Sequence, residues 1–135
     1  MPGSKSDYLE AKLLDHLFGR EIYTPPQVFY VALYSVAPND TAGSGVEFTG
    51  GGYVRCPVNN DLVNWPPATG TTTKVNGLYL AFPAAALPWG TAVAVGLFDA
   101  PTGGNMLIWA DIAPISVGAT DIVRIAPGGF TVTSD

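Results

Sequence analysis

The sequence predicts a mainly β protein: an antiparallel β-sandwich or jelly roll of seven to eight short strands, preceded by one N-terminal α-helix. Three observations carry this expectation. Short apolar stretches rich in Val, Leu, Ile, Tyr and Phe recur along the chain, and β-branched and aromatic residues fit a pleated surface. Breakers separate them throughout: Pro25-Pro26, Pro38-Asn39-Asp40, Gly43-Ser44-Gly45, Gly50-Gly51-Gly52, Pro66-Pro67, Pro88, Pro101 and Pro127-Gly128-Gly129. Helical periodicity occurs in one place only, ahead of residue 19.

Taken in order, residues 1–6 (Met-Pro-Gly-Ser-Lys-Ser) read as a flexible lead, and residues 7–135 as a single sandwich domain. Asp7 to Phe18 forms the helix. Asp7 and Glu10 have capping-box spacing, with Asp in place of the usual Ser or Thr. Leu9, Leu13 and Leu17 recur every fourth residue and are joined by Leu14 and Phe18, giving one apolar face. Gly19 is placed to end the helix in a left-handed conformation. Docking of the face onto the chain's own sheet is the favoured expectation; packing against a neighbouring subunit is the alternative.

The predicted strands are Val28–Ser35, Gly52–Val58, Asn76–Phe82, Val93–Asp99, Asn105–Asp111, Asp121–Ile125 and Gly129–Thr133. Two segments stand out, Tyr30-Val-Ala-Leu-Tyr-Ser-Val-Ala-Pro-Asn-Asp40 and Val95-Gly-Leu-Phe-Asp-Ala-Pro-Thr-Gly-Gly-Asn105. Each is an apolar run breaking into an Ala-Pro turn, so the two strands are expected in similar positions. The stretch from Ala37 to Gly52 is poor in bulky residues and reads as an exposed loop, where a scaffold places its contacts.

Composition narrows the function classes. At 135 residues the chain is long enough for one real core. Only 13 % of residues are charged while 47 % are hydrophobic, against a usual charged quarter. Such a chain is expected to hide apolar surface by self-association, as a homo-oligomeric dimer or trimer. The six basic residues are scattered and the net charge is -5, so no basic stripe exists to neutralise phosphates and no nucleic acid is expected as partner. No membrane partner is expected either: the longest apolar stretch, Phe82 to Leu87, is interrupted by Pro83 and stopped by Pro88. No secretory signal pattern is visible at the N-terminus. Cys56 is the single cysteine, which excludes an internal disulfide and a cysteine-based zinc site.

Catalytic chemistry finds little support. His16 lies in the helix beside Asp15 with no nucleophile in pattern, so a polar helix position is expected. Gly43-Ser44-Gly45 lacks both the nucleophile-elbow spacing and a phosphate-loop Lys. The carboxylates Asp40, Glu47, Asp61, Asp99, Asp111 and Asp121 are isolated in sequence. Cys56 reads as a small buried thiol. The chain is therefore expected to be no enzyme, with no cofactor and no metal. Most of Trp65, Tyr79, Trp89 and Trp109 should be core; Trp65 and Trp89, being next to prolines in turns, are candidates for exposure. The candidate interaction surface is thus Leu9, Leu13, Leu17, Trp65 and Trp89.

Four stretches carry a family resemblance: Asp7-Tyr-Leu-Glu-Ala-Lys-Leu-Leu-Asp-His16; Tyr30-Val-Ala-Leu-Tyr34 with Ala37-Pro38; Gly50-Gly-Gly-Tyr-Val-Arg55; and Gly96-Leu-Phe-Asp-Ala-Pro-Thr-Gly-Gly-Asn105 running into Leu107-Ile-Trp109. In this order and spacing the chain resembles small tailed-bacteriophage virion proteins, described as tail-fibre-like, minor structural, or head decoration and cement proteins. It departs from them at Cys56 and in the 61–73 segment. The resemblance implies a virion location with assembly in the host bacterial cytoplasm. The function it implies first is a capsid decoration or cement protein that clamps the major capsid protein. A tail-associated or receptor-binding module reading host glycans through exposed Trp is the alternative.

Overall fold

Two neighbouring strands, β2 (Val28–Val36) and β7 (Gly90–Phe98), form the centre of the molecule. The computed structural model describes residues 3–133 apart from Thr69 and Thr71. The two outstanding sequence motifs are these strands, and they pair antiparallel, with Val31 opposite Leu97 and Leu33 opposite Val95. Each buries side chains on both faces, which explains why both read as continuous apolar runs rather than alternating ones.

Around them lies a six-stranded antiparallel sheet. β8 (Met106–Val117) forms a long hairpin with β7, and β1 (Gly3–Lys5) adds beyond β8. On the other side β2 is flanked twice: β4 (Cys56–Asn59) pairs with its first half, and β3 (Val46–Glu47) with its second. Two short antiparallel ladders complete the strands, β5 (Thr73–Val75) with β10 (Thr131–Thr133) and β6 (Leu80–Ala81) with β9 (Arg124–Ile125). The ladders cover one face of the large sheet. Val31, Leu33, Val95, Leu97 and Ala110 of the sheet share a core with Leu80, Phe82, Val123, Ile125 and Phe130. The protein is mainly β and antiparallel, as expected, in the form of a lopsided sandwich.

The opposite face holds a second, smaller core of Ala32, Tyr34, Ala94, Phe98 and Met106. Gly96 belongs here for a steric reason. A Cβ at this position would meet the Tyr34 ring at 3.0 Å and the Phe98 ring at 3.1 Å.

Between the ladders sits Asn76, 1 % exposed. Its Oδ1 accepts from the Phe130 amide at 2.8 Å, and its Nδ2 donates to the carbonyls of Leu78 and Ala126, each at 2.9 Å. A buried amide with its groups so engaged stitches backbone segments that have no ladder of their own.

Several boundaries differ from expectation. The supposed flexible lead is β1 from Gly3 to Lys5, followed by Ser6, which is 2 % exposed; Met1 and Pro2 lie outside the described residues. Helix α1 spans Asp7–Leu17, and its N-cap is Ser6, not Asp7. The Ser6 hydroxyl accepts from the Leu9 amide at 3.2 Å and donates to the Met106 carbonyl at 2.6 Å. Asp7 with its carboxylate instead sits in the first turn, where the helix dipole favours it. Gly19 is, as expected, the C′ residue after the C-cap Phe18, with a positive φ of 138°, and Arg20 after it also takes positive φ, 57°.

The expected strand Gly52–Val58 begins only at Cys56, because Gly50, Gly51 and Gly52 all take positive φ in a turn. The expected strand Asn76–Phe82 is interrupted by the Asn76 hub and survives as β6. The 37–52 stretch is not simply an exposed loop, since it contains β3 and the buried Phe48.

Candidate functional site

The N-terminal arm is anchored at its start and bare further on. β1 pairs with the outer edge of β8, Ser6 and Asp7 donate their amides to the carbonyls of Leu107 and Asp40 (2.8 Å each), and Leu9 is buried. Beyond this the apolar face turns away from the sheet. Leu13 is 41 % exposed, Leu17 69 % and Phe18 74 %. The chain after the helix folds back along it: the Glu21 amide donates to the Asp15 carbonyl, and the Tyr23 amide to His16 Nδ1 at 3.1 Å. His16 is thus the polar helix position expected. The return brings in Ile22, itself exposed. A shallow cavity of about 260 Å³ runs beside the helix, lined by Lys5, Glu10, Leu13, Leu14 and Leu17.

The candidate surface residues therefore divide. Leu13 and Leu17 are exposed together with Leu14 and Phe18, whereas Leu9 is packed under the helix. The expectation that the whole face docks onto the sheet is corrected, because among the helix leucines only Leu9 is buried and Leu13, Leu14 and Leu17 are exposed. Trp65 is 7 % exposed and stands edge-on to Phe29 and Phe130. Trp89 is half-buried, stands edge-on to Tyr53, and donates its indole N–H to the Gly51 carbonyl at 2.9 Å. Neither forms an exposed indole platform; the turns that hold them fold inward over the core.

The polar groups are occupied by structure. Arg55 and Glu47 form a two-pronged pair at 2.9 Å per bond. Arg55 also donates to the carbonyls of Ala100 and Gly103 and lies 3.7 Å over the Phe98 ring. Tyr53 donates its hydroxyl to Glu47 at 2.7 Å and accepts from the Leu33 amide at 3.0 Å. Burial, and then this bond to Glu47, pushes the Tyr53 phenol well above its ordinary range. Tyr34 is pushed up to about 12, by burial first and by the Glu47 charge second. This network ties the β3–β4 segment to the glycine-rich turn after β7. Sequence reading missed it, although Arg55 and that turn both belong to the motifs that stood out.

Asp99 holds the same turn, accepting from the Asn105 amide at 2.8 Å and from its side chain at 3.1 Å. Asp121 accepts from the Gly118 amide, and Asp61 from the amides of Val63 and Asn64. Hydrogen bonds from Asn64 hold the Asp61 carboxyl below its usual range. Cys56 is buried with Sγ 3.3 Å from the Ala81 carbonyl, and burial raises its pKa, away from thiolate chemistry. One juxtaposition was invisible in sequence: carboxylate oxygens of Asp7, Glu10 and Asp40 lie within 4.8 Å of one another. Oxygen donors of this kind suit a hard cation. Each also has a local role, with Asp40 accepting from the Trp109 indole at 2.9 Å and the other two in the first helical turn.

What the arrangement offers is therefore surface. The most prominent feature is an exposed apolar helix beside a body whose ionisable groups are largely committed to holding turns. No curated protein matches the chain. A family model described as podophage GP4 fiber I protein gp80 matches residues 4–133, nearly the full length. The match bears out the resemblance to small tailed-phage virion proteins: the chain belongs to the Gp80 family of phage virion structural proteins.

Proposed function

We propose that the protein is a non-catalytic subunit of a phage fibre, associating with further copies of itself through the exposed face of α1. The observation that carries the fibre reading is the family match over residues 4–133. The helix face supports the mode of action. Leu13, Leu14, Leu17 and Phe18, at i, i+4 spacings on the helix, leave an exposed apolar strip of the kind that marks interaction sites in soluble proteins. A closed dimer or trimer would cover the strip in every copy. The chain has no fibrous repeat, so it suits a globular unit of the fibre better than a shaft. Assembly would take place in the host bacterial cytoplasm.

A second reading is the capsid decoration or cement protein, with the same face gripping the major capsid protein. Its support is the low charge and the missing repeat, both ordinary for a protein that clamps a shell. Glycan reading through Trp65 and Trp89 has lost its structural basis.

Cryo-electron reconstruction of the virion separates these readings. Density for this chain in fibres leaving the particle is expected. Density spread over the capsid lattice would replace the fibre reading with the decoration reading.

A further inference from the structure

The chain leaves α1 by doubling back, and few bonds hold it there. The reversal is made at Gly19 and Arg20, both at positive φ, 138° and 57°. For Arg20 this is the left-handed region, which costs a residue with a Cβ conformational energy. Residues 21–27 then form the strap that leads back to β2. Two hydrogen bonds clasp the strap to the helix, from the Glu21 amide to the Asp15 carbonyl at 3.0 Å and from the Tyr23 amide to His16 Nδ1 at 3.1 Å. Among the described residues, 19–25 make no other hydrogen bond. The next attachment lies at the far end. There Asn60 donates its side chain to the Pro26 carbonyl and its amide to the Gln27 carbonyl, both at 2.9 Å.

The second clasp rests on a lone pair that a proton can occupy. Neutral imidazole has one N–H and one acceptor nitrogen, whereas imidazolium has two N–H groups and no acceptor. Nδ1 accepts here, so the neutral ring carries its proton on Nε2. A proton added to Nδ1 sets N–H against the Tyr23 N–H, and the bond is lost. The ring is exposed, so proton uptake needs no prior opening. The charged and titratable groups around it are Tyr8, Lys12 and Asp15 of the helix and Arg20, Glu21 and Tyr23 of the strap. From the body comes Asp99, whose charge reaches the Tyr23 phenol. Only the Tyr23 amide is hydrogen-bonded to the ring among the described residues, so no other bond takes over when it is lost.

We infer that His16 is a proton-sensitive catch: the neutral ring fastens the strap to α1, and protonation releases it. The start of the arm is held independently, by β1 on β8, by the Ser6 hydroxyl on the Met106 carbonyl and by the buried Leu9. Acid therefore loosens the strap and the bare end of the helix and leaves the body folded.

The test is amide hydrogen exchange and ¹⁵N NMR on the full chain across about pH 8 to 5, the range in which imidazoles change charge. At the upper end, a scalar coupling across the bond from the Tyr23 amide to Nδ1 is expected, together with the Nε2–H tautomer. On acidification the coupling should vanish. Protection of the Tyr23 amide, corrected for intrinsic exchange, should fall roughly two- to tenfold, the worth of one ordinary hydrogen bond. Its midpoint should be that of the His16 ring, followed in the same samples, and the Ser6 and Leu97 amides should not follow. His16→Asn offers a carbonyl oxygen that takes up no proton in this range, and should hold the strap throughout. His16→Phe has no acceptor and should leave it loose throughout. Tyr23 protection that stays level while His16 titrates, or that falls equally in His16→Phe, would overturn the catch.

Discussion

The N-terminal helix and the central strand pair carry the same kind of residue and use it in opposite ways. In β2 and β7, Val31, Leu33, Val95 and Leu97 are at most 3 % exposed. In α1, Leu9 alone is buried, while Leu13, Leu14 and Leu17 stand out into solvent. The difference lies in what surrounds each element. The strands have partners on both flanks and a buried apolar core on each face. The helix contacts the body at its first turns and is then carried off by a strap that folds back onto the helix itself. An apolar stripe is therefore a statement about needing cover, and it leaves open whether the cover comes from the same chain.

The sharpest way to break this comparison is to cut one leucine from each region. Leu33→Ala removes a side chain with no exposure at the centre of the core, so unfolding free energy should fall by about 2–5 kcal/mol. The loss should be the same at every protein concentration, measured by urea titration. A loss below about 1 kcal/mol would mean the core collapses around the gap, and that the contrast with the helix is smaller than burial implies.

Alkaline titration tests the body by a second route. The Tyr34 phenol is held at about 12 in the folded protein by burial and then by Glu47, against a reference of 10.0 for the unfolded chain. Since the unfolded phenol ionises first, its stabilising contribution is whole below pH 10 and is lost as pH climbs toward 12. Stability should therefore fall through that window, and Tyr34→Phe should flatten the fall. Tyr53, raised in the same direction, contributes to the slope that remains. An unchanged profile in Tyr34→Phe would show that the second core opens to water before the phenol ionises.

The smallest effect on the fold is expected from the helix. Leu17→Ala changes a side chain already 69 % exposed, so the isolated subunit should lose no more than about 0.5 kcal/mol. The effect belongs instead to association. Melting of the parent protein should depend on concentration, and that dependence should weaken in the variant. Light scattering that finds both proteins monomeric across the micromolar range would remove the helix face as a self-association surface.

Much of this protein was legible in its sequence, for local reasons. The mainly β class, the single helix and the two central strands follow from apolar periodicity and from turn residues, whose backbone preferences act within a few positions. The buried Cys56 and the polar His16 were legible on the same terms, from the strand-like run around the one and the helix position of the other. The family was legible because four motifs preserve their order. Other features required the fold. Ser6 outcompetes Asp7 as helix cap because its hydroxyl also reaches the Met106 carbonyl, a hundred residues away in sequence. Asn76 breaks an expected strand because Leu78, Ala126 and Phe130 converge on its amide. Arg55 joins Glu47 to the turn after β7, and Trp65 turns inward over Phe130. Tertiary structure alone decided that the helix keeps its leucines bare. Periodicity records which face of an element is apolar; only packing decides how much of that face the rest of the chain reaches.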